Sequence, residues 1–185
     1  MNLQKFLDTN YNKNHNKYYD FFMNEYFQSE IISYISSQDY WENMILIWWM
    51  ALRLLYGSHR LTKDLDYDVI WIDSDYFIYI CKDIENYLNK KWYKTTIETS
   101  KANNWNCNFR IEIEWTTAEY WKVIIPTNTP LVIKMNVVER NQNYTTEYKQ
   151  LVNNFSDVYI KTASLNVLLS KKIISLIERD HERSL

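Results

Sequence analysis

One glycine in 185 residues is the tightest constraint this chain places on its own fold. Tight turns need residues that tolerate φ > 0, and glycine supplies most of them. Ordinary usage is about 7%, so a chain of this length would normally hold roughly a dozen. The same chain carries eight tryptophans. Two of them, Trp48 and Trp49, stand side by side in "ILIWWMALRLLYG", at the point where an apolar run hands over to a helical pattern.

The length suits one globular unit with a sizeable core. Lys+Arg at 21 against Asp+Glu at 23 leaves no global basic field to draw in nucleic acid, so any such contact must be local. Cys81 and Cys107 have no metal-ligand spacing around them, as expected of reduced thiols in the cytoplasm. The N-terminus lacks a basic segment followed by an apolar one, and no apolar run is long enough for a membrane span. The expectation is a soluble cytoplasmic protein with no membrane partner.

Residues 3–36 carry helix-period aromatics interrupted by "TNYNKNHNKYY", which predicts two helices around a polar loop. Residues 44–47 form a short buried strand. "MALRLLYG" follows as a helix closed by Gly57. "DLDYDVIW" alternates acid with apolar and predicts a strand. Residues 73–91 form an amphipathic helix with Phe77, Ile80, Ile84, Tyr87 and Leu88 on one stripe. The pattern then shifts to period two in "YKTTIETS", "CNFRIEIE", "KVIIP" and "LVIKMNVVE". The last segment opens extended and becomes a helix capped by Thr162 or Ser164. A weak boundary falls near residues 141–157.

Residues i and i+2 of a strand share a face, so Asp64, Asp66 and Asp68 project together while Leu65, Tyr67 and Val69 enter the core. Carboxylates held that close repel one another. A divalent cation removes the penalty, and Mg²⁺ is typically bound by one or two carboxylates together with substrate phosphate oxygens. Asp-x-Asp opening a strand therefore suits metal-assisted phosphoryl or nucleotidyl transfer, although a solvated strand end would look the same.

With its neighbours, the motif says more. "MALRLLYGSHRLTKDLDYD" resembles the signature of the AbiEii/AbiGii-type toxin nucleotidyltransferases, roughly Gly-Gly-Thr-Ala-Leu-Arg-Leu, a spacer, then His-Arg-Phe-Ser-x-Asp-Leu-Asp-Phe. Ala51, Leu52, Arg53, Leu54, Arg60, Thr62, Asp64, Leu65 and Asp66 fall on that pattern. "SLNVLLSKKIISLIER" is similar to the family's later helix, with Lys172 followed seven residues on by Arg179. The resemblance covers about residues 40–185. It implies an α/β (α+β) nucleotidyltransferase fold, a small mixed sheet flanked by helices, that binds a nucleoside triphosphate with Mg²⁺. It implies that Asp64 and Asp66 are the metal and catalytic carboxylates, that Lys172 reaches the triphosphate or the acceptor, and that Arg60, Thr62 and the 48–49 turn form the nucleotide pocket. Members are toxins of bacterial toxin–antitoxin and abortive-infection systems, so a cognate antitoxin protein is an expected partner. Some members modify the acceptor end of tRNA, which makes tRNA a candidate acceptor.

The family has Gly-Gly where this chain has Trp48-Trp49. Glycine lets the main chain approach phosphates and take φ > 0 at a strand-to-helix turn, whereas two indoles would fill that space. One decoding error accounts for both anomalies. Some bacterial lineages read UGA as glycine and others as tryptophan, and translating the first kind of gene with the second table prints Trp for Gly. Adding the eight tryptophans to the one glycine gives nine, about 5% and near the ordinary level. "NNWNC" around Trp105 would become a hairpin turn, and Trp92 in "NKKW" sits at a helix C′ position. Trp115 and Trp121 bracket a connection between strands; Trp41 and Trp71 carry less local signal. The expectation is glycine at 48 and 49 in the natural protein.

The chain also departs from the family. The third carboxylate expected in "LVIKMNVVER" is missing, since Lys134 and Asn136 occupy that face; Glu112 or Glu114 could substitute, or could simply pair with Arg110 and lysines on a solvated face. Members continue into an Arg-Asp-x-Tyr-Asp-like segment and further helices. Residues 1–150 are therefore expected to be the nucleotidyltransferase core, and 151–185 the beginning of a truncated C-terminal helical region. Two other functions stay open on sequence: a catalytically inactive binding module of the same fold, and a small-molecule nucleotidyltransferase of the antibiotic-modifying kind.

Overall fold

The computed structural model describes residues 19–91, 93–102, 106–114, 130–139, 143–152 and 157–183. The first of the two expected N-terminal helices, the "KVIIP" strand and Trp92, Trp105, Trp115 and Trp121 lie outside them. The elements run α1 (Tyr19–Ile35), β1 (Met44–Ile47), α2 (Trp48–Tyr56), β2 (Asp64–Val69), α3 (Ser74–Lys90), β3 (Lys94–Ala102), β4 (Asn106–Glu114), β5 (Leu131–Glu139), β6 (Thr146–Val152), β7 (Asp157–Ala163) and α4 (Leu165–Arg183).

All seven strands join one mixed sheet in the order β3-β4-β5-β2-β1-β7-β6. This is the mixed sheet flanked by helices that was expected, and one of its strands, β6, lies in the polar stretch read as a weak boundary. Its exposed residues alternate with half-buried ones, and its sole fully buried side chain, Leu151, gives little apolar signal. β6 is held by antiparallel pairing to β7, and β7 runs parallel to β1.

Register assigns the two faces. Leu65 of β2 aligns with Met135 of β5 and through it with Phe109 of β4. All three are buried. Phe77 of α3 meets Phe109 at a ring separation of 4.5 Å, so α3 covers this apolar face. Burying side chains of this size contributes about 1.5–3 kcal/mol each. Alternation sends Asp66, with its register partner Asn136, to the opposite face. The predicted stripe on α3 is the buried one: Phe77, Ile80, Ile84 and Leu88 are at most 2% exposed. Asp73 caps this helix by accepting from the N–H groups of Asp75 and Tyr76.

Two local details differ from the sequence-based expectation. α2 starts at Trp48, two residues early, so the tryptophan pair forms its first turn. Thr162 does not cap α4; it lies buried in β7 and donates to the Leu46 carbonyl at 2.8 Å, tying β7 to β1. Gly57 ends α2 in the left-handed region at φ 71°, as a C′ glycine should.

Candidate active site

β1 leaves the sheet at Ile47, the residue paired with Asp66. The 48–49 turn therefore opens directly beside the acid pair. α2 begins there without a side-chain cap, so its first N–H groups are open to an anion. Trp48 makes this turn at φ 61°. A bulky side chain in the left-handed region is a genuine outlier. Among the described residues only three take positive φ: Gly57, Trp48 and Trp71. Asn and Asp, the usual non-glycine occupants of that region, are not among them.

The three aspartates of β2 share a face but not an environment. Asp64 is exposed, Asp66 half-buried and Asp68 fully buried. Burial pushes the Asp66 carboxyl up to about 6, with the neighbouring Asp64 and Asp68 charges adding to it and the Asn136 hydrogen bond and Lys172 opposing it. Asn136 Nδ2 donates to Asp66 Oδ1 at 2.7 Å, from the strand where a third carboxylate was sought. Asp68 is engaged differently: Lys171 Nζ lies 2.6 Å from its Oδ2, and Tyr144 donates to the same oxygen at 2.6 Å.

Arg60 and Lys172, far apart in sequence, converge on the turn. The Arg60 guanidinium lies 3.9 Å from the Trp49 ring centre, and Lys172 Nζ lies 4.4 Å from it and 5.2 Å from that of Trp48. Trp49 Nε1 is buried there without a hydrogen-bond partner. Two cations thus meet this ring as cation–π partners, while its one polar atom is buried unsatisfied. Thr62 Oγ1 accepts from the Asp64 N–H at 3.2 Å and fixes the entry to β2.

Glu112 does not join this group. Arg110 Nε contacts its carboxylate at 2.6 Å, and its strand lies two positions from β2, about 10 Å across the sheet. The side chains of Glu114 and Arg179 lie outside the described set. Among the described residues no cluster of three or more His, Cys, Asp or Glu could hold a metal ion. What the turn, strand and helix supply is two carboxylates, one of them half-buried. That donor set fits Mg²⁺ when phosphate oxygens complete the shell. Of the residues expected from sequence, the structure brings Arg60, Lys172 and the strand of the acid pair to the 48–49 turn. Sequence reasoning passed over Lys171, Tyr144 and Asn136, and the only available signal was Asp68, the third acid in the alternation.

No helix among the described residues is long and apolar enough to cross a membrane. No curated protein matches the sequence. Solved structures share the fold, among them the nucleotidyltransferase toxin MenT4 of Mycobacterium tuberculosis H37Rv, at 12% identity and a TM-score of 0.59 over 84% of this chain and 52% of that one, and JHP933 of Helicobacter pylori, at 15% identity and 0.53 over 81% and 55%. The chain spans about half the length of these structures. A family model, the nucleotidyl transferase AbiEii toxin of type IV toxin–antitoxin systems, matches residues 50–185. With its paired acids on β2, its lysine on α4 and a nucleotidyltransferase fold around them, the chain belongs to the AbiEii nucleotidyltransferase toxin family.

Proposed function

We propose that this chain transfers a nucleotide from a nucleoside triphosphate to an acceptor, with Asp64 and Asp66 as Mg²⁺ ligands, Lys172 and Arg60 on the triphosphate, and Thr62 holding the entry to β2. We further propose that the natural chain carries glycine at 48 and 49. The observation that carries this reading is the convergence of Arg60 and Lys172 on the space occupied by Trp49, beside the acid pair and the uncapped start of α2. With the indoles gone, that space is bordered by the first N–H groups of α2, by the two cations and by the strand that carries the two carboxylates. Mg²⁺, when bound, would neutralise phosphate charge and favour in-line displacement. The chain's own share is to orient: Lys172 and Arg60 bind non-bridging oxygens, and Asn136 holds Asp66 in one rotamer through its amide. Asp66, whose carboxyl burial holds above the usual range, would bind the metal in its deprotonated form. The acceptor is proposed to be an RNA such as tRNA, and the expected protein partner a cognate antitoxin, on the strength of family membership.

The test is transfer of α-labelled nucleotide to RNA by the Trp48→Gly/Trp49→Gly protein with Mg²⁺. Label should move, and Asp64→Asn or Asp66→Asn should abolish the transfer. A glycine-pair protein that binds none of the four nucleoside triphosphates would refute the assignment. TGG codons at 48 and 49 in the source gene would refute the glycine part alone.

A further inference from the structure

Lys171 and Lys172 are adjacent on α4, yet only Lys172 faces the proposed triphosphate site. The neighbour's role follows from how α4 is held. Leu168 in its first turn is buried, but Leu169, Ile173, Ile174, Leu176 and Ile177 are 45% to 58% exposed. Apolar packing therefore holds the first turn of the helix, and beyond residue 168 no described side chain of α4 is buried, which leaves the contacts of its two lysines to set how it sits. A side-chain tip sits about 5–6 Å from the helix axis, so a turn of only 30° would carry the Lys172 ammonium roughly 3 Å off its mark. Misplacement of even 1 Å at a reacting centre can cost about 10²-fold in rate.

One directional contact removes that freedom. Lys171, with 13% of its side chain exposed, reaches the fully buried Asp68 on β2 at 2.6 Å. The Tyr144 hydroxyl donates to the same Asp68 oxygen, and the Tyr144 ring lies 4.0 Å from the Lys171 ammonium. A buried ion pair adds little net stability, but it permits one geometry where apolar contact permits many. We propose that Asp68, Lys171 and Tyr144 form a latch that fixes the azimuth of α4 and so positions Lys172 over the 48–49 turn. These are positioning residues that act through Lys172. The structural claim stands on this geometry, while its catalytic consequence rests on the function proposed above.

The two are separated by measuring Lys172 directly. The probe is Asp68→Leu with Lys171→Met, since an apolar pair of similar volume commonly preserves the stability of a buried ion pair. Reductive methylation by formaldehyde and cyanoborohydride, read lysine by lysine by mass spectrometry, should show Lys172 reacting several-fold faster in a protein that still unfolds cooperatively. Tyr144→Phe, which removes one donor and almost no volume, should move Lys172 reactivity the same way by less, and it serves if the apolar pair does not fold. Unchanged Lys172 reactivity in a folded variant overturns the latch. In the Trp48→Gly/Trp49→Gly background, breaking the latch should weaken binding of magnesium tripolyphosphate about tenfold, with no further loss when Lys172→Ala is added. Additive losses would mean that the latch does not act through Lys172. If the glycine-pair parent binds no tripolyphosphate, the functional proposal falls, and methylation still decides the latch.

Discussion

Replacing Trp71 with glycine tests the glycine reading where nothing else interferes. Trp71 lies between β2 and the Asp73 cap of α3, turning the chain at φ 60° between buried Val69 and buried Ile72. Its own side chain is 88% exposed, so removing the indole forfeits almost no burial. The left-handed conformation costs a non-glycine residue about 1–2 kcal/mol. Glycine relieves that strain but adds roughly 0.5–1 kcal/mol of unfolded-chain entropy. The net expectation is a gain of about 0.5–1 kcal/mol, or roughly 1–4 °C in Tm for a chain of this size. Trp71→Ala is the control: it removes the same indole, keeps the strain, and should leave Tm within about 1 °C of the parent. Calorimetry on the three proteins decides. A glycine variant no more stable than the alanine variant would mean that position 71 carries no left-handed strain, and the backbone argument for glycine at 48 would weaken with it.

Two further outcomes follow from the same geometry. Gly57→Ala should lower stability by about 0.5–1 kcal/mol, the left-handed strain of about 1–2 less the unfolded-chain entropy that alanine saves, because an added Cβ at this φ 71° position meets nothing within 4 Å; a larger loss in urea titration would mean a clash the structure lacks. Asp66→Asn should abolish transfer yet raise stability at pH 7. With a pKa raised from 3.8 to about 6, folded Asp66 holds more proton than the unfolded chain between those values. Stability therefore falls as pH rises through that window, by at most about 3 kcal/mol. The asparagine variant should lack this decline, and parallel Tm–pH curves for the two proteins would contradict the burial argument.

How much of this was legible in the sequence depended on whether local pattern or long-range pairing fixed each element. The α3 stripe and the Asp64/Asp66 alternation are periodic within a few residues, so period alone assigned their faces. Gly57 announced the end of α2 by its identity. β6 offered no such signal: its residues are mostly polar, and it is a strand because β7 beside it presents a free edge. Trp71 had little in its neighbourhood to mark it, yet its backbone angle makes it one of the two strongest glycine positions. A turn's φ depends on where the chain must go next, and that destination, the α3 cap, is set by packing against β4. Asp68 is the instructive omission. It was grouped with Asp64 and Asp66 by parity, but the sequence could not say that a lysine a hundred residues later would claim it.

The three aspartates describe a gradient that the sheet itself imposes. β2 enters from solvent at Asp64 and runs into the interior at Asp68, so one alternating face presents an open, a half-buried and a buried carboxylate in succession. The open one faces water, and the buried one is met by Lys171 at 2.6 Å. The middle one is held above the usual carboxylate range by burial, and against that it has a neutral amide from Asn136 and the coulombic pull of Lys172. Asp66 thus sits half-buried with its carboxyl pushed up, and it lies opposite the residue where β1 opens into the 48–49 turn. A metal ion there would answer an electrostatic deficit built by burial depth along a single strand, with no third carboxylate required to create it.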